Sequence, residues 1–116
     1  HPPLPPLRRR GGRLTMETHP RKLLVIIAEA ALEKALVEDA RRLGAQGYTV
    51  HDVRGGGRGG TRAGDWEADR SIELKVIAGE AVADAIARHV LATYCPNYSV
   101  TMFLADAHVL RPEKFS

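Results

Sequence analysis

Apolar residues along the chain follow two periodicities, one typical of β-strands and one of α-helices. Residues 23–27, LLVII, form a continuous apolar run of strand length that suits the middle of a covered sheet. Residues 47–53, GYTVHDV, are rich in strand formers, and residues 71–77, SIELKVI, alternate apolar and polar side chains as a half-buried strand does. Residues 99–105, SVTMFLA, predict a fourth strand.

Two other segments carry apolar side chains at every third or fourth position, which predicts helices. These are residues 31–43, followed by Gly44 where a helix commonly ends, and residues 80–93, followed by Pro96. The resulting order is βαββαβ. It predicts an α+β, ferredoxin-like domain with an antiparallel sheet, both helices on one face, and a long loop between the second and third strands.

The positive charge of the chain is concentrated before the first predicted strand. The 116 residues carry 17 Lys and Arg against 14 Asp and Glu, a formal net charge of +3. Five arginines and one acid precede Lys22, so 12 basic and 13 acidic residues remain from there onward. We therefore expect residues 1–21 to be a disordered tail and residues 22–116 to fold as one near-neutral domain. We interpret Met16 as the natural start, which makes the residues before it an upstream or added segment.

Several function classes find no support in the residue types. Cys95 is the single cysteine, so we expect neither an internal disulfide nor a zinc site, and a reducing cytoplasmic setting is favoured. His51, His89 and His108 fall on different predicted elements without metal-ligand spacing. The two predicted central strands lack the aromatic residues with which RNA-recognition domains stack bases. We expect no metal, no nucleic-acid ligand, no membrane span and no enzymatic activity.

A glycine- and arginine-rich loop joins the second and third predicted strands. Residues 54–70, RGGGRGGTRAGDWEADR, contain six glycines and four arginines. Glycine lets backbone N–H groups approach an anion, and arginine donates a fork of hydrogen bonds to phosphate or carboxylate oxygens. On composition alone the loop suits an anion site, a flexible solvated connection, or an RGG-type RNA-binding element.

Residues 22–111 resemble the PII signalling family. The resemblance rests on a Gly-x-Thr-Val motif, here Gly47, Thr49 and Val50, and on a Gly-x-Gly-Arg motif at the start of the long loop. It implies a homotrimer that binds an adenine nucleotide in each of the clefts between neighbouring subunits. The nucleotide-binding residues that it implies are Gly47, Tyr48, Thr49, Gly55, Gly56, Gly57, Arg58, Lys75 and Arg111.

The chain departs from the nitrogen-control members of that family at two places. The long loop has Trp66 but no tyrosine to modify, and residues 94–99, YCPNYS, lack the glycine and lysine that grip the outer phosphates there. The run from residue 94 to residue 110 looks like that of divergent PII-like proteins linked to bicarbonate uptake and carboxysomes. This resemblance implies ADP or AMP as the favoured cofactor, with ATP or cyclic AMP as alternatives. As an extension of this interpretation, we expect Arg58, Arg62 and Arg70 to hold a small anion such as bicarbonate, which would act as an effector.

The function implied by the resemblance is regulation of a partner protein. The bound nucleotide would switch the loop at residues 54–70, the T-loop of the family, between shapes that bind or release the partner. The expected partner is a bicarbonate transporter or a carboxysome component. Two alternatives stay open: a nitrogen regulatory PII protein, and a trimer of the divalent-cation-tolerance type, which shares the architecture but binds metal without nucleotide.

Overall fold

The computed structural model describes residues 7–10, 13–55 and 70–115. The strands are β1 (Leu7–Arg10), β2 (Arg13–Met16), β3 (His19–Glu29), β4 (Thr49–Val53), β5 (Ser71–Ala78) and β6 (Thr101–Val109). The helices are α1 (Glu33–Arg42) and α2 (Glu80–Thr93), and single 3₁₀ turns span Ala30–Leu32 and Pro112–Lys114. The second helix has the bounds that its apolar spacing predicts, and the first is preceded by a 3₁₀ turn.

The main sheet has four antiparallel strands in the order β4-β5-β3-β6. The strand β3 is central, since it pairs with β5 on one side and β6 on the other, and β4 and β5 form the predicted hairpin. With α1 and α2 this is the ferredoxin-like plan, so the predicted fold class is confirmed.

Both helices cover the same face of this sheet. Leu24, Ile26 and Leu74 are fully buried there in one cluster with Leu36 and Ile86 of the helices. Because side chains alternate across a strand, the residues between these positions point to the opposite face. We call this opposite side the open face; its residues include Leu23, Lys75, Ile77 and the half-exposed Phe103.

Both ends of the chain are more ordered than the apolar pattern indicates. The strand β3 begins at His19, inside the predicted tail, and β6 continues to Val109, four residues beyond its predicted end. These two extensions pair with each other, with His19 opposite Val109 and Arg21 opposite Ala107. The pairing is made by backbone hydrogen bonds, so it needs no apolar side chains and leaves no apolar pattern to detect.

A two-stranded hairpin also lies in the part of the chain that was expected to be disordered. The strand β1 pairs with β2 in antiparallel register, with Leu7 opposite Met16 and Arg10 opposite Arg13. The structure thus differs from the expected tail over these residues.

The first helix ends at a glycine whose backbone requires that residue. Gly44 has a φ of +119°, and a Cβ built on it would lie 3.1 Å from a methyl carbon of Val82 on α2. Both the positive φ and the close approach of α2 disfavour a side chain at this position. Gly44 therefore sets the point at which the chain leaves the helix layer.

A polar cluster joins the two helices beside the core. The Tyr94 hydroxyl donates to Oδ2 of Asp39, and Nε2 of His89 lies 2.8 Å from the same oxygen. Burial raises the pKa of Asp39, but hydrogen bonds from Tyr94, His89 and Arg42 outweigh it, and the net pKa lies below its ordinary value. Burial, followed by the hydrogen bond to Asp39, raises the pKa of Tyr94 to about 12. The phenol therefore stays a donor at neutral pH.

We expect Tyr94→Phe to destabilise the protein by about 1.5–3 kcal/mol at neutral pH, because it removes a hydrogen bond to an ionised and largely buried carboxylate. The folded-state pKa of Asp39 is below its value of 3.8 in the unfolded chain. The stabilisation is therefore complete above about pH 5 and is lost as the pH falls through the folded-state pKa. Urea unfolding between pH 7 and 3 measures the effect.

Tyr98→Phe is the matched control, because the Tyr98 side chain is 43% exposed and its hydroxyl leaves no buried partner behind. We expect it to change the free energy of unfolding by no more than about 0.5 kcal/mol. A difference between wild type and Tyr94→Phe that stays constant down to pH 3 would contradict the role given to Asp39.

Candidate nucleotide groove

A groove of about 560 Å³ opens on the open face of the sheet, at the end where β4 begins. Its floor is formed by strand residues, and its two walls are the segment before β4 and the end of the chain. The lining residues are Leu23, Gln46, Gly47, Tyr48, Thr49, Lys75, Ile77, Glu113, Lys114 and Phe115. Four of the predicted nucleotide-binding residues, Gly47, Tyr48, Thr49 and Lys75, therefore meet in one place.

The first wall follows directly from the end of α1. The amide of Ala45 donates to the carbonyl of Ala40 at 2.9 Å, and the buried Ala45 holds this segment against the core. The next residues leave the core, and Tyr48 is 47% exposed. Gly47 has no positive φ, and a Cβ added to it would meet nothing within 4 Å. The backbone does not require a glycine there, so its absent side chain serves to leave the groove open.

The floor of the groove carries a lysine opposite Thr49 in the β4–β5 register. Nζ of Lys75 lies 3.4 Å from a carboxylate oxygen of Glu73, whose other oxygen is 3.6 Å from Nε2 of His51. The Lys75 side chain is 42% exposed, and ion pairs of this exposure contribute about 0–1 kcal/mol. An anionic ligand in the groove can therefore compete with Glu73 for the lysine.

The second wall is the 3₁₀ turn after β6. Its two backbone hydrogen bonds run from Lys114 N–H to the Arg111 carbonyl, at 3.2 Å, and from Phe115 N–H to the Pro112 carbonyl, at 3.0 Å. Arg111, predicted to contact nucleotide, begins this turn and does not line the groove. Its Nε is buried without a hydrogen-bond partner and lies 3.5 Å from a carboxylate oxygen of Glu113.

Sequence reasoning missed the wall residues Gln46 and 113–115 and the floor residues Leu23 and Ile77. The end of the chain has no motif and no apolar period, and nothing local shows that it folds back across the sheet. The sequence pattern identifies Leu23 and Ile77 only as strand residues, and the structure places them in β3 and β5. Their place in the groove follows from the register that sets them opposite each other.

The remaining predicted site residues lie at the other end of the hairpin or outside the structure described. Gly55 follows β4, and Arg70 precedes β5, where its carbonyl accepts a hydrogen bond from Ala30 N–H at 2.7 Å. At about 3.3 Å per residue, the length of β4 separates this end from Thr49 by roughly 13 Å or more. Gly56, Gly57, Arg58 and Arg62 lie outside the described residues. Among the described residues, the strand therefore keeps Gly55 apart from Thr49 within one chain.

Residues 7–10, 13–55 and 70–115 contain neither a cluster of metal ligands nor a helix that could cross a membrane. Within these ranges no three His, Cys, Asp or Glu side chains are grouped so that they could hold a metal ion. Among the helices of the same ranges, none is both long and apolar enough to cross a membrane.

Solved structures with this fold include PII-like proteins from two bacteria. A PII-like protein of Thermus thermophilus is 42% identical, with a TM-score of 0.75 over 87% of this chain and 100% of that one. CPII of Thiomonas intermedia K12, solved with ADP, AMP and bicarbonate, is 26% identical, with a TM-score of 0.76 over 85% of this chain and 96% of that one. The same CPII with ADP, AMP and acetate is also 26% identical, with a TM-score of 0.73 over 86% and 98% of the two chains.

A comparison with curated protein sequences gives no match. The family model of the nitrogen regulatory protein P-II matches residues 21–114, which is most of the chain. The match includes the whole four-stranded sheet except the first two residues of β3, both helices, and every groove-lining residue except Phe115. The chain therefore belongs to the nitrogen regulatory protein P-II family, as a PII-like signalling protein.

Proposed function

We propose that this protein is a trimeric, cytoplasmic regulator, not an enzyme, and that it binds an adenine nucleotide in clefts between subunits. The observation that carries the proposal is the groove that gathers Gly47, Tyr48, Thr49 and Lys75. An open glycine backbone beside a lysine suits a phosphate, and the exposed Tyr48 ring and the side chain of Ile77 offer apolar surface to a base. The ligands of CPII, ADP and AMP, have this chemistry.

The separation of the two half-sites supports a cleft between subunits. The strand β4 keeps Gly55 and the start of the long loop away from Thr49 and the groove. A nucleotide can touch both sets if one subunit supplies the groove and its neighbour supplies the loop. Gly55, Gly56, Gly57 and Arg58 would then hold the phosphates of a nucleotide seated against Gly47, Tyr48, Thr49 and Lys75, with Arg111 behind the wall.

The connection between α2 and β6 favours ADP or AMP over ATP. Residues 94–100, YCPNYSV, contain no glycine and no lysine. The buried Tyr94 anchors this connection, and its carbonyl accepts hydrogen bonds from Asn97 N–H at 3.1 Å and Tyr98 N–H at 2.9 Å. A short, folded connection without a cation offers no charged donor to a γ-phosphate, so a third phosphate would gain little binding energy.

We propose that the long loop is the segment whose shape changes when a nucleotide binds. Nucleotide phosphates at the start of this loop would bias it toward a shape that binds or releases a partner. We further propose that Arg58, Arg62 and Arg70 hold bicarbonate, an anion that accompanies the nucleotides in CPII. The partner would then belong to bicarbonate uptake or to the carboxysome. The family description favours one second candidate, a PII protein of nitrogen control.

Isothermal titration of the purified protein with AMP, ADP, ATP and cyclic AMP tests the nucleotide. We expect ADP or AMP to bind more tightly than ATP, and bicarbonate to change the affinity. Tighter binding of ATP, strengthened further by 2-oxoglutarate, would instead support nitrogen control. Absence of binding by all four nucleotides would overturn the proposed function, and metal binding in its place would support a trimer of the divalent-cation-tolerance type.

Gly47→Ala tests whether the groove is the binding site. A methyl group there enters open groove space, so we expect ADP to bind about tenfold more weakly, a loss of about 1.4 kcal/mol, while the melting temperature is unchanged. Gly44→Ala is the control with the opposite expectation. The positive φ of Gly44 and its closeness to Val82 mean that this change should lower the free energy of unfolding by about 1 kcal/mol or more. Equal ADP affinity for wild type and Gly47→Ala would move the site elsewhere.

Light scattering tests the assembly, with an expected mass of about 38 kDa from three copies of the 12.7 kDa chain.

A mixing experiment then tests whether the cleft is shared between subunits. We expect Lys75→Ala and Arg58→Ala each to bind ADP weakly alone, because each lacks one half of every cleft. When the two variants are co-expressed, some clefts combine an intact groove with an intact loop, so part of the tight binding returns. A monomeric mass, or no recovery on co-expression, would contradict an intersubunit site.

A further inference from the structure

Arg21 links the beginning of β3 to the end of the chain. It lies opposite Ala107 in the β3–β6 register, and its guanidinium reaches the turn that walls the groove. Nε donates to the carbonyl of Phe115, and Nη2 donates to the carbonyl of Pro112 at 3.3 Å. Nη1 donates to the carbonyl of Pro20 at 2.7 Å. All three guanidinium nitrogens therefore donate to backbone carbonyls, and two of them grip the turn.

The turn needs such an external contact to keep its shape. It has three residues, Pro112–Lys114, and the side chain of its N-cap residue, Arg111, makes no capping hydrogen bond. A 3₁₀ turn of this length is weakly held by its own two backbone hydrogen bonds. Arg21 contacts the carbonyls at the first position of the turn and just after its last, so it fixes both ends relative to the sheet.

We propose that Arg21 is a positioning residue for the groove: it orders the C-terminal turn, and thereby places Lys114 and Phe115 as the groove wall. The part of this inference that concerns ligand affinity rests on the proposed function, whereas the ordering of the turn does not. Arg21 does not line the groove, and its nitrogens are engaged with carbonyls, so it acts on a ligand through the turn.

The planar fork of arginine is what this role requires. Nε and Nη2 are fixed relative to each other, and so they hold two carbonyls in a defined geometry, which the single amine of lysine cannot reproduce. Arg21→Lys should therefore retain the charge and lose most of the ordering. Lys22 supplies a matched control on the same strand, because its exposed Nζ pairs with Asp106 and does not contact the turn.

Hydrogen exchange of the protein without ligand tests the ordering directly. The amides of Lys114 and Phe115 are hydrogen-bonded within the turn, so their exchange reports whether the turn is formed. We expect Arg21→Ala to speed their exchange at least tenfold, Arg21→Lys to have an intermediate effect, and Lys22→Ala to have none. Exchange at these two amides that is equal in Arg21→Ala and wild type would overturn the proposal.

ADP titration of the same variants tests the consequence for the groove. We expect Arg21→Ala to bind ADP about tenfold more weakly, with Lys22→Ala unchanged. A chain ending at Arg111 lacks the turn, so it should show a similar loss, and Arg21→Ala in that shorter chain should cause no further loss. If Arg21→Ala alone folds poorly, the ADP affinity of the shorter chain still tests whether the turn contributes to binding.

The outcomes separate the possible failures. Weaker ADP binding by Arg21→Ala without faster exchange, or a further loss in the shorter chain, would mean that Arg21 contacts the ligand itself, and would overturn its action through the turn. Faster exchange with unchanged affinity would show that the turn does not wall the binding site. If the wild type binds no adenine nucleotide, the proposed function and the affinity effect fail together, and the exchange result alone decides whether Arg21 orders the turn.

Discussion

The structure depends on the pairing of β3 with a strand on each side. Its residues from Lys22 to Glu29 pair with β5, and those from His19 to Ile27 pair with β6, so most of its backbone is hydrogen-bonded on both edges. Leu24 and Ile26 on this strand are fully buried beneath the helices. Because a shift of one residue would turn these side chains to the open face, the core fixes the register of the whole sheet. The register in turn brings Leu23 opposite Ile77, which forms the floor of the groove.

The same sheet supports the proposal that a complete nucleotide site is shared between copies of the chain. The hairpin of β4 and β5 carries the groove at one end and the long loop at the other, and a paired strand cannot shorten to bring them together. Each subunit would thus offer two half-sites that point to different neighbours. In such an assembly a change at one cleft is transmitted through a rigid hairpin, which is a suitable element for a switch.

The groove itself combines residues that a motif reveals with residues that it does not. Gly47, Tyr48 and Thr49 stand together in the sequence, so a short pattern was enough to propose them. Lys75 joined them through the resemblance, and the β4–β5 register places it beside Thr49. Arg21 and Phe115 are 94 residues apart, and their hydrogen bond has no local signature. The stretch containing Arg21 even suggested a disordered tail, because backbone pairing at a sheet end needs no apolar residues.

By itself, the sequence determined the order of the helices and of the strands of the main sheet, the face of β5 that enters the core, and the family. These properties depend on local periodicity and on motifs of neighbouring residues, which are readable along one chain. Only the tertiary structure decided where β3 and β6 end, how the C-terminal turn crosses the open face, and which residues share the groove. Those features arise from contacts between distant parts of the chain, made by backbone groups and by the Arg21 guanidinium. Because no local pattern of residues marks such contacts, they could not be predicted along the chain.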